Sequence, residues 1–466
     1  MIERGVTRTV AAAAAMVSAL TLVACGGGET RTGTAPPGST TSPAMQNGTA
    51  PSAKENQINA VPRDQLQDGG KLTWPIDSMP ANFNYHQVDG TDANGAAVIQ
   101  ALMPGPYNND ATGAPLWNPD LLEAEPSLVT EPKQVVTYRI NPKAAWYDGT
   151  PITWEDFFWQ WKVGTGTDKA YQIASSNGYE EIESITKGRS DREVVVTYKG
   201  RFADWTSIFA PLYPASTNKD PKVFNEGWKA KPLTTAGPFK LQEINQTTKT
   251  ITLVRNEKWW GKPAKLDSIV YRVIEADAQI DALANGEIDF MDVGPDANKY
   301  RRARGIEGAD IRVAGGPNFR HITINGASPL LQDVRVRRAL AMGVDRAAIA
   351  RALLGPLEFP TTVLNNHIFM ANQAGYQDNA GEIGRYDPVK AGQLLDEAGW
   401  KPDGKLRKKE GRTLEVKFVI PTAVATSKQE AELVQNMLAQ VGVTVTIAAV
   451  PLDDFFAVSY THLRAH

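Results

Sequence analysis

Residues 318–354 read NFRHITINGASPLLQDVRVRRALAMGVDRAAIARALL, and this stretch decides the fold. The run His321–Asn325 alternates apolar and polar residues, which predicts a short strand. Asp333 can cap a helix over 334–342, because apolar residues recur there at helical spacing behind a carboxylate that can accept from free amides. Asp345 can cap a second helix, which ends at the Gly-Pro pair 355–356. The stretch therefore predicts strand, turn, helix, helix.

Arginine is dense in this stretch, at Arg335, Arg337, Arg338 and Arg346. Such density could indicate a phosphate or nucleic-acid site. The charges fall opposite the apolar stripe, however, and this arrangement is typical of a solvated or ion-paired helix face. We therefore expect these arginines to be structural.

The order DVRVR over 333–337, Ala339-Leu340 and Val344-Asp345-Arg346 resembles the core of the family 5 extracellular solute-binding proteins, the peptide, nickel and opine receptors of ABC importers. Further blocks resemble the same family in the same order. They are AWYDGTPITWEDF (145–157), AGPFKL (236–241), LVRNEKWW (253–260), QIDALANGEIDF (279–290) and YDPVKAGQLLDEAGW (386–400). The resemblance covers about residues 70–452 and implies an α/β, bilobal periplasmic-binding-protein type 2 fold with an inserted subdomain.

Composition narrows the function classes. The chain has 466 residues and a net charge of −3, so there is no global attraction to nucleic acid or anionic lipid. Its one cysteine, Cys25, excludes disulfides within the chain and a cysteine-based metal site. We expect no cofactor and no metal.

The N-terminus reads as a targeting segment followed by a tether. Residues 1–24 join a basic start to an apolar run too short to span a bilayer, which predicts a signal peptide. Leu22-Val23-Ala24-Cys25 resembles the lipobox of bacterial lipoproteins, so Cys25 is the expected lipidation site. Residues 25–60 are rich in Gly, Ser, Thr and Pro and predict a disordered tether.

The remaining boundaries follow from the resemblance. They are 61–106 and 229–315 for lobe I, 107–228 for the inserted subdomain, 316–457 for an incomplete lobe III, and 458–466 for a tail without a family counterpart. Because family members continue beyond this point, we expect the chain to be C-terminally truncated, its tail non-native and its second lobe incomplete.

The expected ligand site lies between the lobes, where the chain passes from one to the other. Tyr107 and Asn108 stand at the first crossing, and Asn318 and Phe319 stand at the entry to the second lobe. For each residue, packing or turn formation is an alternative to ligand contact. The tryptophans around 146–161 likewise suggest either an aromatic platform for a ligand or the packing of a helix on a sheet.

The resemblance implies a lipid-anchored, monomeric receptor on the outer face of the cytoplasmic membrane. It would close on oligopeptides or similar solutes by a hinge motion and deliver them to an ABC permease and ATPase. An alternative is a non-transport lipoprotein of cell-envelope glycolipid metabolism or its regulation. An enzyme is the third hypothesis, and the sequence offers no Gly-x-Ser-x-Gly, metal cluster or phosphate loop to support it.

Overall fold

A computed structural model describes residues 57, 59–110, 113–314, 319–357, 361, 363–371, 373, 375–422, 424–451 and 455, all within one compact unit that spans 47–466. The signal peptide, Cys25, all but residues 57, 59 and 60 of the predicted tether, Asn318 and the 458–466 tail lie outside the described residues. In the part that is described, no helix is long and apolar enough to cross a membrane.

The helices are bounded as follows: α1 Ala93–Leu102, α2 Trp154–Gly164, α3 Ala215–Asn218, α4 Gln279–Ala284, α5 Ala297–Arg304, α6 Val334–Met342, α7 Arg346–Leu354, α8 Pro388–Glu397 and α9 Ala425–Ala439. The strands in the first half are β1 Lys71–Ile76, β2 Tyr107–Asn109, β3 Pro115–Trp117, β4 Ser127–Val129, β5 Val135–Arg139, β6 Ile182–Lys187 and β7 Glu193–Tyr198. Those that follow are β8 Phe239–Asn245, β9 Thr250–Arg255, β10 Ser268–Val273, β11 Lys401–Asp403, β12 Leu406–Lys409, β13 Arg412–Thr413, β14 Glu415–Pro421 and β15 Thr444–Val450.

Two four-stranded sheets organise the first part of the chain. In one, the order is β1-β10-β9-β8, with β1 and β10 parallel and the other pairs antiparallel. The other has the order β4-β5-β7-β6 and is antiparallel throughout. Side chains from both sheets, from Ile76 to Tyr271, form one continuous hydrophobic core. The large buried aromatics in it include Trp228 and Tyr213, both fully shielded from solvent.

A second, smaller core begins after residue 330. Strands β14 and β15 pair in parallel and are connected by helix α9, so this segment is a β-α-β unit. Helices α6 and α8 pack together over it, and Val336, Leu395 and Val434 are among its buried side chains. The antiparallel strands β11, β12 and β13 fill the connection from α8 to β14.

The predicted helices at the centre of the chain are confirmed, with their caps. Asp333 accepts from the Arg335 amide at the start of α6, and Asp345 accepts from the Ala348 amide at the start of α7. The predicted strand His321–Asn325 is wrong: these residues belong to no ladder. A run of alternating residues becomes a strand only when it pairs with a partner strand, and no described strand pairs with this run. Ile322 is 44% exposed.

Candidate functional site

At the first crossing between the two sheets, the end of α1 lies directly against the backbone of the residues before β8. The carbonyl of Leu102, at the end of α1, accepts from the Ala236 amide at 3.0 Å and from the Thr235 hydroxyl at 2.6 Å. A Cβ on Gly237 would stand 2.8 Å from the carbonyl oxygens of both Ala101 and Leu102. Only glycine fits this approach, which explains the Gly-Pro-Phe sequence physically.

The family block LVRNEKWW (253–260) forms hydrogen bonds to the same turn. The Asn256 side chain, 7% exposed, donates to the Gly237 carbonyl at 2.9 Å, and its backbone amide donates to the Pro238 carbonyl at 2.9 Å. Trp260 donates from its indole to the Asp120 carbonyl at 2.6 Å. These blocks therefore stabilise the backbone of the crossing.

Tyr107 and Asn108 lie on β2, the first strand of the hairpin that follows the crossing. The Tyr107 ring packs edge-on against Trp205 with ring centres 5.6 Å apart, and burial raises the pKa of its phenol to about 12, with Glu125 adding to the shift. Asn108 pairs with Leu116 across the hairpin and has an exposed side chain. Tyr107 is thus partly a packing residue, whereas Asn108 is open to solvent.

The entry to the second core carries an exposed aromatic residue next to an arginine that is ion-paired with α9. Phe319 is 55% exposed and has its ring centre 5.3 Å from that of His321. The next residue, Arg320, forms a two-pronged ion pair with Glu430 on α9 and donates to the Ser427 hydroxyl at 3.1 Å. Within the described part of the chain, no hydrogen bond, ion pair or ring contact joins Phe319 to Tyr107 or Asn108.

A contact that sequence reasoning did not anticipate links the hairpin to the segment after α7. The amide nitrogen of the Gln373 side chain lies 2.7 Å from the point where a Cβ on Gly113 would stand. Gly113 lies in the turn between β2 and β3 and has φ +81°. The sequence around Gln373 has no periodic pattern that would predict a helix or strand. The neighbouring asparagines Asn365 and Asn366 are the one feature that could have indicated a hydrogen-bonded loop there.

The tryptophan-rich region is a packed region. Trp146 is 3% exposed, and Trp154 and Trp161 pack against the same core. Asp156 completes a capping box at the start of α2, accepting from the amides of Thr153 at 2.7 Å and of Ala215 at 2.7 Å. Burial raises the pKa of this carboxyl to about 6, although the amide hydrogen bonds oppose the shift.

Arg335 and Arg337 of the central stretch have structural roles, because their side chains bond to nearby protein groups. Arg335 pairs with its own cap Asp333 and donates to the Glu397 carbonyl at 2.7 Å. Arg337 donates to the carbonyls of Leu331 and Gln332. The described residues also contain no group of three or more His, Cys, Asp or Glu side chains placed to hold a metal ion.

Comparison with known proteins now defines the class. The family described as bacterial extracellular solute-binding proteins, family 5, middle, matches residues 117–462. That match includes the first five residues of the predicted tail. The chain belongs to this family, as the central stretch predicts.

Particular relatives agree with the assignment. The "Oligopeptide-binding protein OppA" of Mycobacterium tuberculosis is 40% identical over 406 residues, which is 86% of this chain and 68% of that protein. The "Probable monoacyl phosphatidylinositol tetramannoside-binding protein LpqW" of the same species is 27% identical over 58% of this chain and 43% of its own length. Among solved structures, the periplasmic EDTA-binding protein EppA has a TM-score of 0.70 at 26% identity, covering 83% of this chain and 74% of that one. The predicted bilobal α/β fold of the periplasmic-binding-protein class is confirmed.

Proposed function

We propose that this chain is a lipid-anchored receptor that binds oligopeptides and delivers them to an ABC importer. The observation that carries the proposal is the 40% identity with an oligopeptide-binding protein across 86% of the chain. The ligand lies between the two lobes, near the hairpin of Tyr107 and Asn108 and the entry at Phe319. Ligand that touches both lobes stabilises the closed form, and this differential contact drives closure.

Asn318 and Phe319 belong to the proposed site together with Tyr107 and Asn108. Peptide backbone can be met by hydrogen bonds at positions such as Asn108, while hydrated pockets accept varied side chains because water satisfies their polar atoms. The receptor catalyses no covalent chemistry and needs no cofactor or metal. Its partners are a permease and an ATPase subunit, and it acts as a monomer without nucleic acid.

Cys25 is the proposed anchor, which places the receptor on the outer face of the cytoplasmic membrane. Acyl chains contribute about 0.8 kcal/mol for each methylene buried in lipid, so two or more chains hold a protein firmly. Replacing Cys25 by Ala should release the protein from the membrane fraction and abolish incorporation of labelled palmitate. Continued labelling of the C25A variant would contradict this assignment.

The second candidate is a glycolipid-binding role outside transport. It is favoured by the 27% identity with a protein named for a mannosylated phosphatidylinositol. That match spans 58% of this chain against 86% for the oligopeptide-binding relative, and its identity is lower. We therefore place peptide binding first.

Native mass spectrometry of the purified C25A chain separates the two functions. We expect co-purifying masses that fragment as peptides, and a rise in the unfolding temperature when a peptide mixture is added. A glycolipid that co-purifies, with no response to peptides, would replace the proposal by the second candidate. Turnover of an added substrate would show that the chain is an enzyme.

A further inference from the structure

The described residues between 364 and 379 (364–371, 373 and 375–379), here called the 364–379 loop, are hydrogen-bonded firmly at the base of the segment. Arg346 on α7 donates to the Leu364 carbonyl at 3.1 Å, to the Asn365 side chain at 2.8 Å and to the Gly384 carbonyl at 2.7 Å. The Asn379 amide donates to the Asn365 carbonyl at 2.8 Å, so the two ends of the loop meet. Compact surface loops with closed ends are frequently functional.

The interior of the loop is also hydrogen-bonded. The side-chain oxygen of Asn366, a residue 9% exposed, accepts from the amides of Ile368 and Phe369 at 2.8 Å each. Its side-chain nitrogen donates to the Gln377 carbonyl at 3.0 Å. These bonds fix the backbone of the apex directly below its two apolar side chains.

That fixed apex presents apolar side chains to solvent. Ile368 is 76% exposed and Phe369 is 38% exposed. A large aliphatic side chain that is held in solvent does not contribute the free energy that its burial would provide. Contiguous exposed apolar patches mark sites of ligand or protein contact, and Ile368 and Phe369 are neighbours in the apex.

The position of the loop indicates which contact it makes. After its apex the loop contacts the β2-β3 hairpin, where the Gln373 side chain lies next to Gly113. Strand β3 starts two residues further on and carries Leu116, which is 53% exposed. The same hairpin carries Tyr107 and Asn108 of the proposed site. Both elements that meet at this contact therefore carry exposed apolar side chains.

We propose that the 364–379 loop is a wall of the ligand site and that Ile368, supported by Phe369, contacts an apolar side chain of the bound peptide. This inference rests on the proposed function. It narrows the substrate class to oligopeptides that carry a leucine-like or aromatic residue at one position. Polar residues at that position would leave the apex exposed and gain nothing from it.

The test measures side-chain preference at each position of a peptide. Calorimetric titration of the C25A chain would use a set of pentapeptides in which leucine replaces serine at one position at a time. We expect one position to favour leucine by about fivefold to tenfold, as burial of one to two methylene groups gives. The Ile368→Ser variant should bring that preference close to one.

The matched control is Val389→Ser. Val389 lies on α8 in the second core and is 71% exposed, so the same loss of exposed apolar surface occurs away from the loop. This control should keep the leucine preference, and neither variant should shift the unfolding temperature. Peptide binding with no leucine preference, or a preference that survives in Ile368→Ser, would overturn the inference and leave the proposed function standing. Failure of the parent chain to bind any peptide would overturn both.

Discussion

Gly237 shows at the scale of one residue why a family block has its sequence. Its backbone has no unusual φ, so the requirement for glycine is purely one of space against two carbonyl oxygens. Replacing it by alanine forces the crossing after α1 apart, because neither carbonyl belongs to a flexible side chain. We expect Gly237→Ala to lower the free energy of unfolding by about 1–3 kcal/mol, measured by urea denaturation.

Gly200 is the matched control for that substitution. No heavy atom lies within 4 Å of the point where a Cβ on Gly200 would stand, and its φ is not positive. Gly200→Ala should be neutral, or slightly stabilising through the unfolded chain. Equal losses in the two variants would contradict the steric explanation.

His86 should make stability depend on pH. Burial lowers the pKa of its imidazole, against the opposing effect of its 2.7 Å hydrogen bond with the Pro211 carbonyl. The folded state therefore disfavours the proton, and this contribution to stability is present above about pH 6.5 and is lost as the pH falls through the lowered value. One such group can change the free energy of unfolding by at most about 1.4 kcal/mol per pH unit.

The measurement is the unfolding temperature from pH 8 to pH 5 for the parent and for His86→Gln, whose amide can still donate to Pro211. Asp156 acts in the opposite direction: its pKa of about 6 in the folded state lies above the ordinary value, so it adds stability at low pH and loses it as pH rises through 6. His86→Gln removes the contribution of the histidine and keeps that of Asp156. We therefore expect His86→Gln to lose less stability on acidification than the parent. Parallel pH profiles would refute the assignment.

Helix α6 shows at the scale of an element how a short helix is held in place. Asp333 accepts from the Arg335 amide at 2.9 Å and also pairs with the Arg335 side chain, which lowers the pKa of the Asp333 carboxyl. Asp333→Ala should cost about 1 kcal/mol of unfolding free energy, mainly through the lost cap, since exposed ion pairs contribute little.

Asp333→Asn provides the comparison for this prediction. An asparagine side chain still accepts from the amide but cannot form the ion pair, so it should keep more than half of the stability that alanine loses. Chemical denaturation measures both variants. If asparagine cost as much as alanine, the ion pair and not the cap would hold the start of α6.

Elements with strong local signals were predictable from sequence. Helices α6, α7 and α8 each combine a capping aspartate with apolar residues at helical spacing, and the structure confirms all three. The run His321–Asn325 has local alternation but needs a partner strand, which sequence cannot supply. Strands β11, β12 and β13 were missed because their lysine-rich, glycine-interrupted residues resemble a loop.

The candidate site was only partly predictable. Tyr107 and Asn108 follow from the order of the lobes along the chain, and they lie on a hairpin at the crossing. The 364–379 loop has no period, and its shape comes from side-chain amides and from Arg346, which lies some twenty residues earlier in the chain. Bonds of this kind depend on tertiary position and leave almost no pattern in the sequence.

At the scale of the whole molecule, the residues that the structure describes form two separate hydrophobic cores of unequal size. Arg320 contributes to the smaller one by its ion pair with Glu430, whose side chain is only 18% exposed. We expect calorimetry to resolve two unfolding transitions, because separate cores need not melt together. Arg320→Ala should lower one transition by several degrees and leave the other in place.

Lys187→Ala controls for the loss of an ion pair on the surface of the part of the chain that contains the larger core. Lys187 pairs with Asp191 at 3.0 Å, and both side chains are at least half exposed. Such a pair contributes at most about 1 kcal/mol, so this variant should leave both transitions almost unchanged. A single transition in the parent, or a uniform shift in Arg320→Ala, would show that the cores unfold as one.

Tryptophan is divided very unevenly between these two cores. Of the eleven indoles in the chain, only Trp400 lies beyond residue 260, and it is buried in the smaller core. Intrinsic fluorescence therefore reports almost entirely on the larger core, whereas circular dichroism of the amides reports on both. A melting curve followed by emission alone would look like a single cooperative event even after the smaller core had come apart.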